Sequence, residues 1–174
     1  MFLFITHFDF FMITFVKKQL TMLDYLKKIA IGSDHAGYDL KEILKKDLLL
    51  RGYEVKDFGT YSEQSMDYPE TAHPLAFSVD QGEFEKGILI CGSGNGMAMV
   101  ANKYRGIRAA ICWNDEITRL ARQHNDANIL ALPARFISSG QALEFTRIFL
   151  STDFEGGRHE RRVEKISGIL QKTI

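Results

Sequence analysis

The chain has 174 residues, 45% of them hydrophobic and 25% charged, a length and balance suited to one globular domain with an ordinary core. Its 22 Lys and Arg cancel its 22 Asp and Glu, so no overall charge points to nucleic acid or an anionic membrane, and any anion must be met by a local constellation. Cys91 and Cys112 are too few for a disulfide scaffold and lack zinc-finger or CxxC spacing, which fits a reducing, cytoplasmic setting.

The opening stretch, MFLFITHFDFFMITFV, has no basic residue ahead of its apolar part and is interrupted by His7 and Asp9. It meets neither the signal-peptide pattern nor the roughly 20 apolar residues of a membrane span. Residues 1–26 read as an extension outside the fold or as a start assigned too early, with Met12 and Met22 as alternative starts. An interfacial or partner-binding segment is the functional alternative. Residues 27–174 read as a single domain.

KKIAIGS predicts a buried strand. YDLKEILKKDLLLRG then places Leu40, Ile43, Leu44 and Leu48 on one helical face, with the lysines opposite, and stops at Gly52. YEVKDFG alternates as a second strand. A helix begins near Pro69, with Ala72, Leu75, Ala76 and Val79 at helical spacing. GILICG is a strand, MAMVANKY a helix and GIRAAIC another strand, with Cys112 in the core. Asn114 is a candidate cap for DEITRLARQH, NILAL is a strand, and Ser138 or Ser139 caps GQALEFTRIFL. RHERRVEKISGIL is the last helix.

Strands alternate with helices about five times, and several strands are apolar on both faces. That pattern predicts a mainly parallel five-stranded sheet covered on both sides, a three-layer α/β sandwich. Ligands of such sheets gather at the carboxyl ends of the strands. The places to look are Ser33-Asp34-His35, the run from Cys91 to Met97, and the segment after Cys112.

The glycine run CGSGNGM admits two readings. As a dinucleotide loop it has Gly92 and Gly94 but Met97 in the third glycine position, with Asp115 as a ribose-binding carboxylate. That would make a nucleotide-binding module without catalysis. A P-loop is excluded because no Gly-Lys-Ser/Thr follows. As an oxyanion site, its N–H groups and the helix start supply fixed donors, and such a field favours thiolate over thiol. Cys91 is then a candidate base or nucleophile, with the Ser93 hydroxyl in the same turn.

Other polar groups are weaker alone. Asp34 is suited to a sugar hydroxyl and His35 to a phosphate. His124, at a helix end, is the type of side chain most easily tuned to move protons near neutral pH. Arg158 and Arg162 at i, i+4 would share a helix face as a phosphate grip, and Arg135 is a further phosphate contact. His7, His35, His73, His124 and His159 show no metal-ligand spacing, so no metal and no cofactor are expected.

Six segments in order, KIAIGSDHAG, DYPETA, GILICGSGNGMAMVANK, GIRAA, RQHNDANIL and EGGRHERRVEKI, resemble the ribose-5-phosphate isomerase type B family, which also includes galactose-6-phosphate isomerase subunits. The resemblance runs from about Lys27 to Leu170. It implies a Rossmann-like α/β/α fold, a homodimer or homotetramer with active sites shared between subunits, and metal-free interconversion of ribose 5-phosphate and ribulose 5-phosphate in the non-oxidative pentose phosphate pathway. It implies that Cys91 moves a proton between C2 and C1 through a cis-enediolate, whose oxygens meet the Ser93 hydroxyl and the N–H groups of Gly92, Ser93, Gly94, Asn95, Gly96 and Met97. His124 would help open the furanose ring, with Asp34 and Tyr68 near the sugar and Asn125 lining the site. His35, Arg135, Arg158 and Arg162 would hold the phosphate. Ser93 stands where many members carry Thr, and Asn95 where an aliphatic residue is common; the Asn95 amide is suited to a sugar hydroxyl, which leaves allose 6-phosphate, galactose 6-phosphate or another aldose phosphate open as substrate.

Overall fold

Ile88-Leu89-Ile90 and Leu130-Ala131-Leu132 carry no polar side chain, and both runs are fully buried at the middle of the sheet. A computed structural model of the protein describes residues 28–168. The expectation for residues 1–26 lies outside the described residues, as does the end of the last predicted helix.

In chain order the elements are β1 (Lys28–Ser33), a 3-10 turn (His35–Gly37), α1 (Tyr38–Leu50), β2 (Glu54–Asp57), α2 (Pro69–Asp80), β3 (Lys86–Cys91), α3 (Asn95–Ala101), β4 (Ala109–Ile111), α4 (Asp115–Asn125), β5 (Ile129–Pro133), α5 (Ser139–Ser151) and α6 (Glu160–Gly168). The strands lie in the order β2-β1-β3-β5-β4, and every pairing is parallel. Period-2 alternation sends Ile29, Ile31, Ile88, Ile90, Leu130 and Leu132 to one face. There they meet Leu40, Leu44 and Leu48 of α1 and Phe145 and Phe149 of α5. Ala30, Leu89 and Cys91 point to the other face, against Ala72, Leu75 and Ala76 of α2 and Met97 and Ala101 of α3. Two cores on one parallel sheet make the three-layer α/β/α sandwich that the alternating pattern predicts.

The caps follow the sequence. Asn114 Oδ1 accepts the N–H of Ile117 at 2.8 Å to start α4. Ser138, rather than Ser139, starts α5 through a capping box with Gln141. Cys112 is fully buried, as expected for a core residue.

The apolar face of α1 departs from expectation. Ile43 is 42% exposed, whereas Lys41, placed by its charge on the solvent side, is wholly buried. Its Nζ lies 2.6 Å from Asp57 Oδ2 and 2.7 Å from Glu42 Oε1, with the rings of Tyr38 and Tyr61 each 5.5 Å away. A buried ammonium is tolerated when it is paired and hydrogen-bonded in this way. The pairing partner comes from β2, so helical periodicity alone could not reveal it.

Candidate active site

The three central strands end together. Register places Ser33 of β1 beside Ile90, and Cys91 of β3 beside Pro133 of β5. The next residues continue the alignment: the N–H of Asp34 donates to Ile90 O at 3.1 Å, that of Ala134 to Cys91 O at 2.9 Å and that of Arg135 to Gly92 O at 3.1 Å. Asp34, Cys91 and Arg135, distant in sequence, therefore share one edge because their strands are neighbours.

Cys91 is 5% exposed, and its Sγ accepts the N–H of Gly94 at 3.1 Å. Gly94 sits at φ +76° directly before α3, in the left-handed region where a side chain is strained. The turn thus brings the Gly94 N–H onto the sulfur at the end of the central strand. Ser93 is exposed, and its Oγ accepts the N–H of Asn95 at 3.4 Å. The Tyr68 ring lies so close to Gly96 that a β-carbon there would stand 2.8 Å from it. Only glycine permits that approach. The Arg135 side chain passes over Gly92, its Cδ and Nε 3.3 Å from where a β-carbon would be. Met97 is fully buried beneath the loop, so its contribution to a ligand is its backbone.

Asp34 Oδ1 accepts from Ala36 N–H at 2.9 Å and Gly37 N–H at 3.1 Å, capping the 3-10 turn. His35 Nδ1 accepts the N–H of Met66 at 3.5 Å, which leaves Nε2 to donate. The carboxyl edge thus unites Asp34, His35, Tyr68, Arg135 and the loop from Cys91 to Met97. Asn95, the first residue of α3, lines a groove with Met99, Asn102 and Ile111, between α3 and edge strand β4.

His124, Asn125, Arg158 and Arg162 are elsewhere. His124 and Asn125 end α4, which leads into the start of β5, and Arg108, just before β4, donates to Asn125 O at 3.1 Å. They belong to the amino edge, one strand length from Cys91, about 16 Å for five residues of β-strand. The parallel topology thus divides the site residues expected from the sequence between two edges of one chain's sheet. The helix expected to carry both arginines begins only at Glu160, so Arg158 lies in the preceding turn and the two do not share a helix face. They converge on His159 instead: Arg158 Nε donates to His159 Nε2 at 3.2 Å, and the charges of both arginines help to depress that imidazole's proton affinity.

Two groups at this edge escaped the sequence reading. The rings of His124 and His159 are stacked, centroids 4.1 Å apart and planes 5° from parallel. Glu155 Oε2 stands 3.8 Å from His124 Nε2 and 3.9 Å from His159 Nε2. The signal was the double glycine after Glu155, a turn that returns His159 to the end of α4. The three side chains bring ligand-type atoms within 4.8 Å of one another, which no spacing rule finds. Arg158 on His159 Nε2 and the charge of Arg162 nearby oppose a cation there.

For the dinucleotide alternative, Asp115 lines a groove between α4 and α5 with Glu116 and Glu144, and its strand β4 is separated by β5 from β3, which carries the glycine loop.

Comparison with known proteins identifies the family. The profile of the family described as Ribose/Galactose Isomerase matches residues 29–166. The chain is 45% identical to the ribose-5-phosphate isomerase B of Escherichia coli, over 84% of this chain and 99% of the relative. It is 41% identical to a D-erythrulose-4-phosphate isomerase of Pectobacterium atrosepticum, over 79% of this chain and 91% of the relative. A solved structure of a ribose 5-phosphate isomerase from Thermotoga maritima superposes with a TM-score of 0.80 at 54% identity, covering 82% of this chain and 98% of that one. Sequence and fold together place this chain in the Ribose/Galactose Isomerase family.

Proposed function

We propose that the protein interconverts ribose 5-phosphate and ribulose 5-phosphate, the aldose–ketose step of the non-oxidative pentose phosphate pathway, in the cytoplasm and without a metal or cofactor. The observation that carries the reading is the Cys91 thiol set at the mouth of a backbone cradle, with a donor aimed at its sulfur. The proton beside a sugar carbonyl is a very weak acid, so a base succeeds only where fixed donors meet the developing oxyanion. Cys91 removes the proton from C2 of the open-chain aldose, the O2 proton passes to O1, and Cys91 returns its proton to C1. The Ser93 hydroxyl and the loop N–H groups hold the cis-enediolate oxygens between the two transfers. Asp34 and Tyr68 face the sugar, and His35 and Arg135 grip the phosphate.

The amino edge completes the site in a second copy. A two-fold axis that sets the amino edge of one protomer against the carboxyl edge of the other brings His124, Asn125, Arg158 and Arg162 of each to Cys91 of its partner. Both sites then form at once, because such an interface is isologous. His124 opens the furanose ring, and Arg158 and Arg162 add to the phosphate grip. A homotetramer is a pair of such dimers. Among the described residues no helix is long and apolar enough to cross a membrane.

The second reading is a different small phosphosugar, favoured by the comparable identity to the D-erythrulose-4-phosphate isomerase. The test is turnover of ribose 5-phosphate and of erythrulose 4-phosphate, in EDTA, by wild type and Cys91→Ala. Ribulose 5-phosphate formed by wild type and lost in the variant supports the proposal. Turnover of the four-carbon sugar alone replaces the substrate. Full activity in the variant removes Cys91 as base.

A further inference from the structure

The double-glycine turn at Gly156 and Gly157, with φ of +66° and +55°, carries the chain back until His159 lies flat on His124. Glu155, just before that turn, is fixed by its own N–H, which donates to Gln123 O at 3.0 Å. Its Oε2 is within 3.9 Å of both imidazole Nε2 atoms. The other charged groups around the pair are Arg158, Arg162 and Asp126. Asp126 is already engaged on both oxygens, by Arg122 at 2.9 Å and Arg108 at 2.6 Å. Glu155 is therefore the carboxylate left to serve the histidines.

Resting on the reading of His124 as the ring-opening acid, we propose that Glu155 is its positioning residue, its carboxylate set beside the edge of the stacked rings so that His124 stays flat against His159 and faces a sugar in the partner's carboxyl-edge site. In the step itself a ring N–H proton of His124 passes to the ring oxygen as the bond from that oxygen to C1 breaks, its electrons staying on the oxygen. The C1 hydroxyl gives its proton to the facing Asp34 carboxylate, and its O–H electrons close the aldehyde double bond. Solvent then reprotonates His124 and deprotonates Asp34, so no proton is gained or lost. His159 is a neutral platform: burial, followed by the charges of His124, Arg158 and Arg162, pushes its proton affinity below that of an ordinary histidine, with Glu155 opposing.

The test separates ring opening from isomerisation with an aldose phosphate that cannot close a furanose ring: in erythrose 4-phosphate the C4 oxygen carries the phosphate. Glu155→Gln is expected to lower kcat/KM for ribose 5-phosphate by about tenfold, a fraction of what general acid catalysis supplies. It should lower kcat/KM for erythrose 4-phosphate much less. For each sugar the reverse direction falls by the same factor, because the equilibrium constant is unchanged. Glu155→Asp should recover part of the ribose 5-phosphate rate. Equal losses on the two aldoses would overturn the positioning role. His124→Ala acting equally on both aldoses, while Cys91→Ala abolishes turnover, would instead remove the ring-opening reading on which it rests.

Discussion

The Cys91 sulfur and the Gly94 amide form a closed unit: the N–H at the start of α3 donates to Sγ at 3.1 Å, across a turn that only the φ of +76° at Gly94 permits. Gly94→Ala keeps the N–H but strains that turn, and its β-carbon would approach the Ile111 side chain to 3.1 Å. The expected result is a loss of stability of about 1–2 kcal/mol. Activity should fall by at least about tenfold, because a displaced oxyanion donor costs several kcal/mol of barrier. Chemical denaturation and kcat/KM on one preparation measure both. Wild-type turnover by the variant would show that the cradle's geometry is not used.

The two cysteines should react very differently. Burial pushes the Cys112 thiol up to about 11, only partly offset by the Thr118 hydrogen bond, so almost none of it is thiolate at neutral pH. Cys91 opens onto the ligand edge with a donor on its sulfur. Iodoacetamide at pH 7.5 (an assay condition of about neutral pH) is expected to alkylate Cys91, spare Cys112 and inactivate the enzyme, with ribose 5-phosphate slowing all of it. Peptide mapping by mass spectrometry reads the site. Modification of Cys112 first, in folded protein, would contradict the assignment.

Much of this was legible in the residues because local chemistry matches the global fold. Asn114 and Ser138 announce their helices, apolar runs announce buried strands, and CGSGNGM announces the cradle. What was not legible depends on partners from other elements. Lys41 reads as a solvent lysine until β2 supplies Asp57. The parallel pattern placed Asp34 and Cys91 at one edge, but that their strands are neighbours is set by strand order, which periodicity does not encode. His124 reads as part of a site shared between subunits, but its stacking on His159, at the opposite edge of the chain, depends on the Gly156-Gly157 turn and no spacing rule gives it.

The Lys41–Asp57 pair should mark the acid limit of the fold. Burial opposes ionisation of Asp57, but the hydrogen bonds from Lys41, Lys45 and the Gly59 N–H outweigh it and hold the carboxyl below its usual value of 3.8. A lowered carboxylate value stabilises the native state above the unfolded value, and that stability is lost as pH falls through the folded value. Asp57→Asn leaves the buried ammonium with Glu42 alone. We expect it to cost about 3 kcal/mol, the low end for breaking a buried pair because Asp57 keeps some solvent contact. Urea melts at stepped pH should show a constant gap between the two proteins down to the usual carboxylate value of 3.8 and a gap that narrows as pH falls further, as wild type loses its advantage. A gap that stays constant as pH falls below that value would exclude this carboxylate as the cause.

Separation of the two half-sites makes the strongest demand on the proposed dimer. Cys91→Ala spoils every carboxyl edge and His124→Ala every amino edge, so neither protein alone should convert ribose 5-phosphate at an appreciable rate. When the two are unfolded together and refolded, or produced together in one cell, a mixed dimer pairs one intact carboxyl edge with one intact amino edge. Its other site carries both defects. With random pairing half the dimers are mixed, and recovery should approach about a quarter of wild-type activity, as a two-fold symmetric interface requires. Native mass spectrometry confirms that mixed dimers form. If they form and activity stays absent, His124 does not act on the Cys91 of its partner, and the two edges serve different purposes.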